Sequence, residues 1–220
     1  MAALILASNS PRRRQLFSLG GWDFHVMVAD VDETPFADES PREYVLRLAQ
    51  AKALAIQPRA ESDAVIVGSD TTVVLDDAIL GKPVDEADAE QMLKQLRGRT
   101  HQVFTALALH DMNSGQTLTE LSITDVPMRN YSDDEIKKYI QSGDPMDKAG
   151  AYAIQHPEFQ PVETMQGCYA SVMGLPLCHL LRALKRFDII PAANVPAACQ
   201  SLLNYPCPVS SKILSGEMVS

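Results

Sequence analysis

A short apolar run, Leu4 to Ala7, gives way almost at once to Ser10-Pro11, and this junction constrains the fold more than any other feature of the chain. Such a run reads as a buried strand, and serine followed by proline reads as an N-cap with proline at the first helical position. The helix predicted to follow runs through Gln15, Leu16 and Phe17 and stops at Gly20-Gly21. A strand that feeds directly into a helix leaves the helix's free N–H groups and the positive end of its dipole just past the strand's end. Ser8, Ser10 and the consecutive arginines Arg12, Arg13 and Arg14 stand at that point. Arginines in a first turn oppose the dipole by about 0.3–1 kcal/mol per charge, a conflict that an external anion such as phosphate removes. The alternative is a solvated basic face.

The basic patch is local, because the 220-residue chain carries a formal net charge of −9. That balance argues against broad contact with nucleic acid or an acidic membrane surface and favours a small anionic ligand. With 46% hydrophobic and 21% charged residues, the chain is long enough to bury one sizeable core. No stretch reaches the length of an apolar membrane span, and Met1 to Leu6 lacks the regions of a signal peptide. The four cysteines, Cys168, Cys178, Cys199 and Cys207, have no CxxC spacing. Structural thiols in a reducing cytoplasm are expected, rather than zinc or a disulfide framework.

Strand and helix signals alternate early in the chain. Phe24 to Val28 reads as a strand leading into the acidic loop Ala29 to Pro35. Ser40, Pro41 and Glu43 form a capping-box signature for a helix to about Gln57. The run AVIVGSDTTVVL has strand character, interrupted at Gly68-Ser69-Asp70, and Asp76-Asp77 turns into AILGKP. Asp85 caps a helix with the stripe Ala89, Met92, Leu93 and Leu96, ending at Gly98. Two long strands, His101 to His110 and Thr117 to Met128, are joined by the turn at Asn113 to Gly115. Ser132 with Glu135 starts a helix through Ile140 that Gly143 stops, and Cys168 to Leu177 reads as a buried strand entering a last helix to about Phe187. The pattern predicts an α/β fold with a mixed sheet and flanking helices. The less periodic, proline-richer tail, residues 191–220, is expected to be partly ordered beside a domain of residues 1–190.

Lys52 is the most informative single residue. At 100° per residue it falls between Leu48 and Val45, with Ile56 beside it, at the centre of the apolar face of the second helix. A lysine there must snorkel out, pair with an anion, or lose its charge. Asp70 lies between two strand-like runs, as a turn residue bonded to its own backbone or as a carboxylate that holds a divalent ion or deprotonates a water. Glu33 stands in the acidic loop, where Asp30, Asp32 and Glu33 read equally as a solvated charge run. Two carboxylates from separate loops suit Mg²⁺, which takes one or two carboxylates together with substrate phosphates. Lys82, in the rigid GKP stretch, is placed to reach a phosphate; the Walker pattern, GxGxxG, HExxH and GxSxG are all absent. His101 reads as an edge-strand or core histidine.

The stretches SNSPRR, DET, LAQAKA, GSDTTVVLDDAILGKP, LRGRTHQV and DKAGAYAIQ occur in that order. With them the chain closely resembles the Maf family of nucleoside triphosphate pyrophosphatases, from about Leu4 to Phe187. The resemblance implies an inosine triphosphate pyrophosphatase-like architecture, with two lobes around a deep cleft, often as a homodimer. It implies that Ser8, Arg12, Arg13, Glu33, Lys52, Asp70 and Lys82 line that cleft, with Asp70 as proton acceptor and Mg²⁺ or Mn²⁺ held by Glu33 and Asp70. DKAGAYAIQ, Asp147 to Gln155, resembles the branch acting on dTTP and UTP, in which the positions of Arg12, Thr71 and Gln155 govern base choice. A glutamine amide, both donor and acceptor, suits the imide edge of uracil or thymine. Two departures stand out: Ala153 replaces the branch's usual glycine, and HPEFQPVETMQGCYASV lacks the expected glycine-rich loop. The alternative to hydrolysis is a nucleotide-sensing regulatory protein linked to cell division, with little turnover. An RNA-binding module fits poorly with the negative net charge.

Overall fold

The protein's structure, a computed structural model, describes residues 3–217, so the first two residues of the leader reading and residues 218–220 of the tail lie outside it. Strands β1 (Leu4–Leu6), β2 (Phe24–Val26), β3 (Val65–Leu75), β4 (Ala78–Leu80), β5 (Thr100–Asp111) and β6 (Thr117–Pro127) form one mixed sheet in the order β2-β1-β3-β5-β6, with β4 paired to β3. β1 runs parallel to both β2 and β3, whereas β3, β5 and β6 are antiparallel. β2 ends at Val26, two residues short of the expected strand.

Long β3 organises everything else. One of its edges pairs with β5 from Val65 to Val74. The other pairs with β1 at Val65 to Val67 and with β4 at Val73 to Leu75. Between these partners, residues 68–72 have no strand neighbour on that edge among the described residues, and the sheet opens there. The helices that begin at serine or aspartate caps follow the sequence signals closely. α1 (Pro11–Ser18) starts behind Ser10, α2 (Pro41–Leu54) behind the Ser40–Glu43 capping box, α3 (Glu86–Leu96) behind Asp85, and α4 (Asp133–Gln141) behind the Ser132–Glu135 box. α2 stops at Leu54, and a 3₁₀ turn occupies Gln57–Arg59.

Strand alternation sorts the core onto two faces. Ile5, Ile66, Ala106 and Ala108 face α2 with its Val45, Ala49 and Ala53, whereas Leu4, Leu6, Val65, Val67, Leu107 and Leu109 face the opposite layer with Leu16 and Phe17. The α2 side is built from small residues, and Gly68 shows why. A Cβ on Gly68 would lie 2.2 Å from the Ala49 carbonyl oxygen and 2.7 Å from the Ala53 nitrogen. The expected interruption at Gly68-Ser69-Asp70 is therefore corrected: β3 runs through it, and the glycine admits a helix backbone rather than a turn. Gly68→Ala is expected to cost about 1–3 kcal/mol in a urea titration by forcing α2 off the sheet.

The second correction concerns Cys168 to Leu177, which is no strand. It forms a short helix α5 (Tyr169–Val172), a turn at Gly174 with φ +106°, and the start of α6 (Leu177–Leu184), which passes into a 3₁₀ turn ending at Phe187. Periodicity alone does not separate a short buried strand from a buried helix. The tail carries α7 (Val195–Leu203) and α8 (Ser210–Ser215), too short for a helical period to stand out, and buries Val195, Val209 and Ile213. All four cysteines are free and line the seam between this tail and α5–α6. Burial pushes the Cys178 thiol up to about 12 and Cys199 up to about 11, so both pack as protonated groups.

His101 on β5 and His179 on α6 are buried, with a ring nitrogen of His101 2.8 Å from Tyr152 Oη. Burial pushes both histidines down to about 4, against partial opposition from Asp125 and Glu120 respectively. The folded state therefore binds these protons less readily than the unfolded chain, whose histidines titrate near 6.5. The linked stability is whole above about pH 6.5 and is lost as pH falls through about 4, by about 3 kcal/mol per histidine. Denaturation midpoints at pH 7 and pH 4.5 check this, and His179→Leu is expected to flatten the slope by its share.

Candidate active site

The open edge of β3 is where the site lies. Ala7 N–H donates to the Val67 carbonyl at 2.8 Å, the last rung between the two parallel strands, and beyond it the chain turns away into α1. The result is a cleft of about 770 Å³ outside the carboxyl end of β1, where open α/β sheets place their ligands. Ser8, Ser10, Arg12 and Arg13 line it from the β1–α1 junction, Glu33 from the acidic loop, Lys52 from α2 and Asp70 with Thr71 from β3. Lys82 reaches it from the segment after β4, and Gln155 from the opposite wall. Every site residue expected from the sequence thus borders one cavity. Arg14 does not; it is exposed elsewhere on α1.

Because α2 lies so close to the sheet, Lys52 meets Asp70. Its Nζ stands 2.6 Å from Asp70 Oδ1 and 2.5 Å from Glu33 Oε1. Of the routes open to an inward lysine, the structure takes ion pairing: Lys52 is 9% exposed and Asp70 6%. Burial pushes the Glu33 carboxyl up, but the hydrogen bond and charge of Lys52, joined by the charges of Lys82 and Arg13, outweigh it and hold Glu33 below its ordinary value. The acidic loop is fastened to α2 by Tyr44, whose hydroxyl donates to the Glu33 carbonyl at 2.9 Å, and by Arg47, which donates to the Thr34 carbonyl at 3.2 Å. Burial, then the charges of Asp70 and Glu33, push the Tyr44 hydroxyl up to about 12. Of the loop's acids only Glu33 lines the cleft; Asp32 caps its own turn, accepting from Thr34 N–H at 2.9 Å.

Asp70 and Thr71 point to opposite faces of β3, and the second face holds Arg13. The Arg13 guanidinium donates from Nε to the Gly174 carbonyl at 2.9 Å and from Nη2 to Thr71 Oγ1 at 3.1 Å, with Ser8 Oγ at 3.4 Å from Nη1. Ser69 Oγ donates to the same Gly174 carbonyl at 3.0 Å. Glycine is favoured at 174 by its φ of +106°, and a Cβ there would press on Arg13 Nε and Thr71 Oγ1, each 3.3 Å away. Burial lowers the Arg13 pKa, with Asp70 opposing and the neighbouring Arg12 adding to the fall. A guanidinium keeps its charge through such a shift. Arg12 and Arg13 are thus drawn together beside two carboxylates at a helix N-terminus.

The sequence reading missed Lys148, which is 8% exposed and lines the opposite wall. Its Nζ lies 2.6 Å from Asp147 Oδ1 and 3.0 Å from Asp144 Oδ1. The i,i+4 spacing of Asp144 and Lys148 was the available signal, but it falls in 3₁₀ turns (Asp144–Asp147 and Ala149–Ala151) where no helical face locates a side chain. Tyr139 Oη braces this wall, donating to Asp144 Oδ2 at 2.7 Å and accepting from Ala153 N–H at 2.9 Å.

Four cations, Arg12, Arg13, Lys52 and Lys82, thus line one deep cleft of an α/β protein together with the buried Asp70 carboxylate and the half-exposed Glu33. The chain belongs to the Maf family: the family's sequence model, described as Maf-like protein, matches residues 3–187. Among the relatives, a dTTP/UTP pyrophosphatase of Geotalea uraniireducens is 44% identical over 187 residues, which is 85% of this chain and 96% of that protein. A dTTP/UTP pyrophosphatase of Desulforamulus reducens is 41% identical over 86% of this chain and 98% of its own. Another, from Bacillus cereus, is 43% identical over 86% and 97%. Among solved structures, the Staphylococcus aureus Ham1 protein has a TM-score of 0.42 at 17% identity, covering 58% of this chain and 72% of that one, a likeness too slight to argue from.

Proposed function

We propose that this Maf-family chain is a nucleoside triphosphate pyrophosphatase that hydrolyses dTTP and UTP to the monophosphate and pyrophosphate. The observation that carries the reading is the meeting of Arg12, Arg13, Lys52 and Lys82, from three separate segments, around the Asp70 carboxylate in one cleft. The names and 41–44% identity of the near-full-length relatives support it. Water attacks the α-phosphorus, the bond from that phosphorus to the α,β-bridging oxygen breaks, and pyrophosphate leaves with the bond's electron pair.

Asp70 is the proton acceptor. Its Oδ1 is committed to Lys52, while among the described residues Oδ2 accepts no protein hydrogen bond and is available to the water. Arg12, Arg13, Lys52 and Lys82 stabilise the charge that develops on the phosphates, with Ser8 and Ser10 at the N-terminus of α1 beside them. Gln155, exposed on the far wall, reads the imide edge of the base together with Arg12, and Thr71 contributes by fixing Arg13.

Mg²⁺ or Mn²⁺ would be held by Glu33 and Asp70 beside the Lys52 ammonium, which takes one oxygen of each carboxylate. Among the described residues no group of three or more His, Cys, Asp or Glu side chains forms a metal site, and two carboxylates suit an ion that completes its shell with substrate phosphates and water. When bound, such an ion neutralises phosphate charge. The same reading takes residues 1–190 as the pyrophosphatase domain and, from the family resemblance, a cytoplasmic homodimer without nucleic-acid partners. Sedimentation of the purified protein tests the dimer. Among the described residues no helix is long and apolar enough to cross a membrane.

The reading is tested by incubating the purified protein with dTTP, UTP, CTP and purine triphosphates in the presence of Mg²⁺. Pyrophosphate release, fastest with dTTP and UTP, is expected. Orthophosphate release would contradict it.

A further inference from the structure

Residues 188–217 lie beyond the family match, which ends at residue 187, and relatives matched over 96–98% of their own length cover 85–86% of this chain. This added tail is nonetheless bonded to the segment that leads into Val172, Met173 and Gly174, which line the cleft. Tyr205, between α7 and α8, has its Oη 3.1 Å from the Met165 carbonyl and 3.0 Å from the Gly167 carbonyl. Among the described residues these are the hydrogen bonds that tie residues 164–167 to the rest of the chain. The tyrosine itself is well held. Its ring lies against that of Tyr169 with centroids 5.4 Å apart, its N–H donates to the Gln200 carbonyl at 3.1 Å, and the Gln200 side chain accepts from Cys207 N–H at 3.0 Å.

Residues 165–167 lead straight into α5 and the turn at Gly174. There the Ser171 carbonyl lies 2.8 Å from Thr105 Oγ1, and the Gly174 carbonyl receives both Arg13 and Ser69. We infer that Tyr205 is a positioning residue of the active site: its hydroxyl pins residues 165–167 so that the Gly174 carbonyl holds the Arg13 guanidinium in the phosphate-binding geometry. The inference rests on the proposed role of Arg13 in binding substrate phosphate, and it makes the tail a working part of the cleft.

Tyr205→Phe keeps the ring against Tyr169 and removes only the hydroxyl. In the nucleotide-free protein, amide hydrogen exchange over residues 168–175 is expected to quicken, with Gly174 N–H (2.8 Å to the Ser171 carbonyl) and Leu175 N–H (2.9 Å to the Ala170 carbonyl) as reporters. KM for dTTP is expected to rise about threefold to tenfold with kcat within about twofold. Ile213→Val, which trims a buried apolar side chain on α8 and leaves the Tyr205 hydroxyl in place, is the control and is expected to lower Tm without either change. Unchanged exchange, an unchanged KM in Tyr205→Phe, or an equal rise of KM in Ile213→Val at matched Tm would overturn the inference. If the unaltered protein releases no pyrophosphate from dTTP, the functional reading fails instead, and the exchange comparison still decides whether Tyr205 orders the segment.

Discussion

Asp70→Asn is expected to lower kcat by about 10²–10⁴-fold, the range of a lost general base, while dTTP binding changes little. The substitution is nearly isosteric and keeps an oxygen for Lys52, which also retains Glu33 at 2.5 Å, so the ammonium stays compensated and the fold stays intact. What is lost is an oxygen able to take a proton from water. Calorimetric titration with dTTP separates the two effects: affinity within a few-fold of the unaltered protein, with turnover gone, is the expected pair. Near-normal turnover would remove Asp70 from the chemistry.

Lys52→Met is expected to be the most destabilising single change in the cleft, by about 3–5 kcal/mol, because it strands a buried carboxylate. Asp70 is only 6% exposed and Lys52 is its ion partner in the structure, whereas the half-exposed Glu33 can find water. Adding Asp70→Asn to Lys52→Met removes the stranded charge, and the double variant is expected to be more stable than Lys52→Met alone. Strict additivity in a denaturant-based double-mutant cycle would contradict the pairing.

The parts of the site legible in the sequence were those set by local rules. The Ser10-Pro11 cap, the Ser40–Glu43 box and the inward placing of Lys52 at the centre of an apolar stripe depend on neighbours within a turn or two, and the structure keeps all three. The parts that were not legible depend on distant partners. Gly68 looks like a turn residue until the backbone of α2, at Ala49 and Ala53, is placed against it. Gly174 reads as part of an apolar run, yet its carbonyl collects Arg13 and Ser69 from far away in the chain. Lys148 lies in irregular turns that offer no periodicity to locate it, and the bonds from the tail to residues 165–167 pass through one tyrosine hydroxyl and two carbonyls. Local propensity carries no information about such long-range contacts.

The central claim is that the cleft's cations hold a triphosphate so that water, relieved of its proton at Asp70, reaches the α-phosphorus. Running the reaction on UTP in ¹⁸O-enriched water and weighing the products tests it most directly. One ¹⁸O in UMP with none in pyrophosphate is the predicted result; label in pyrophosphate or in released orthophosphate would contradict it.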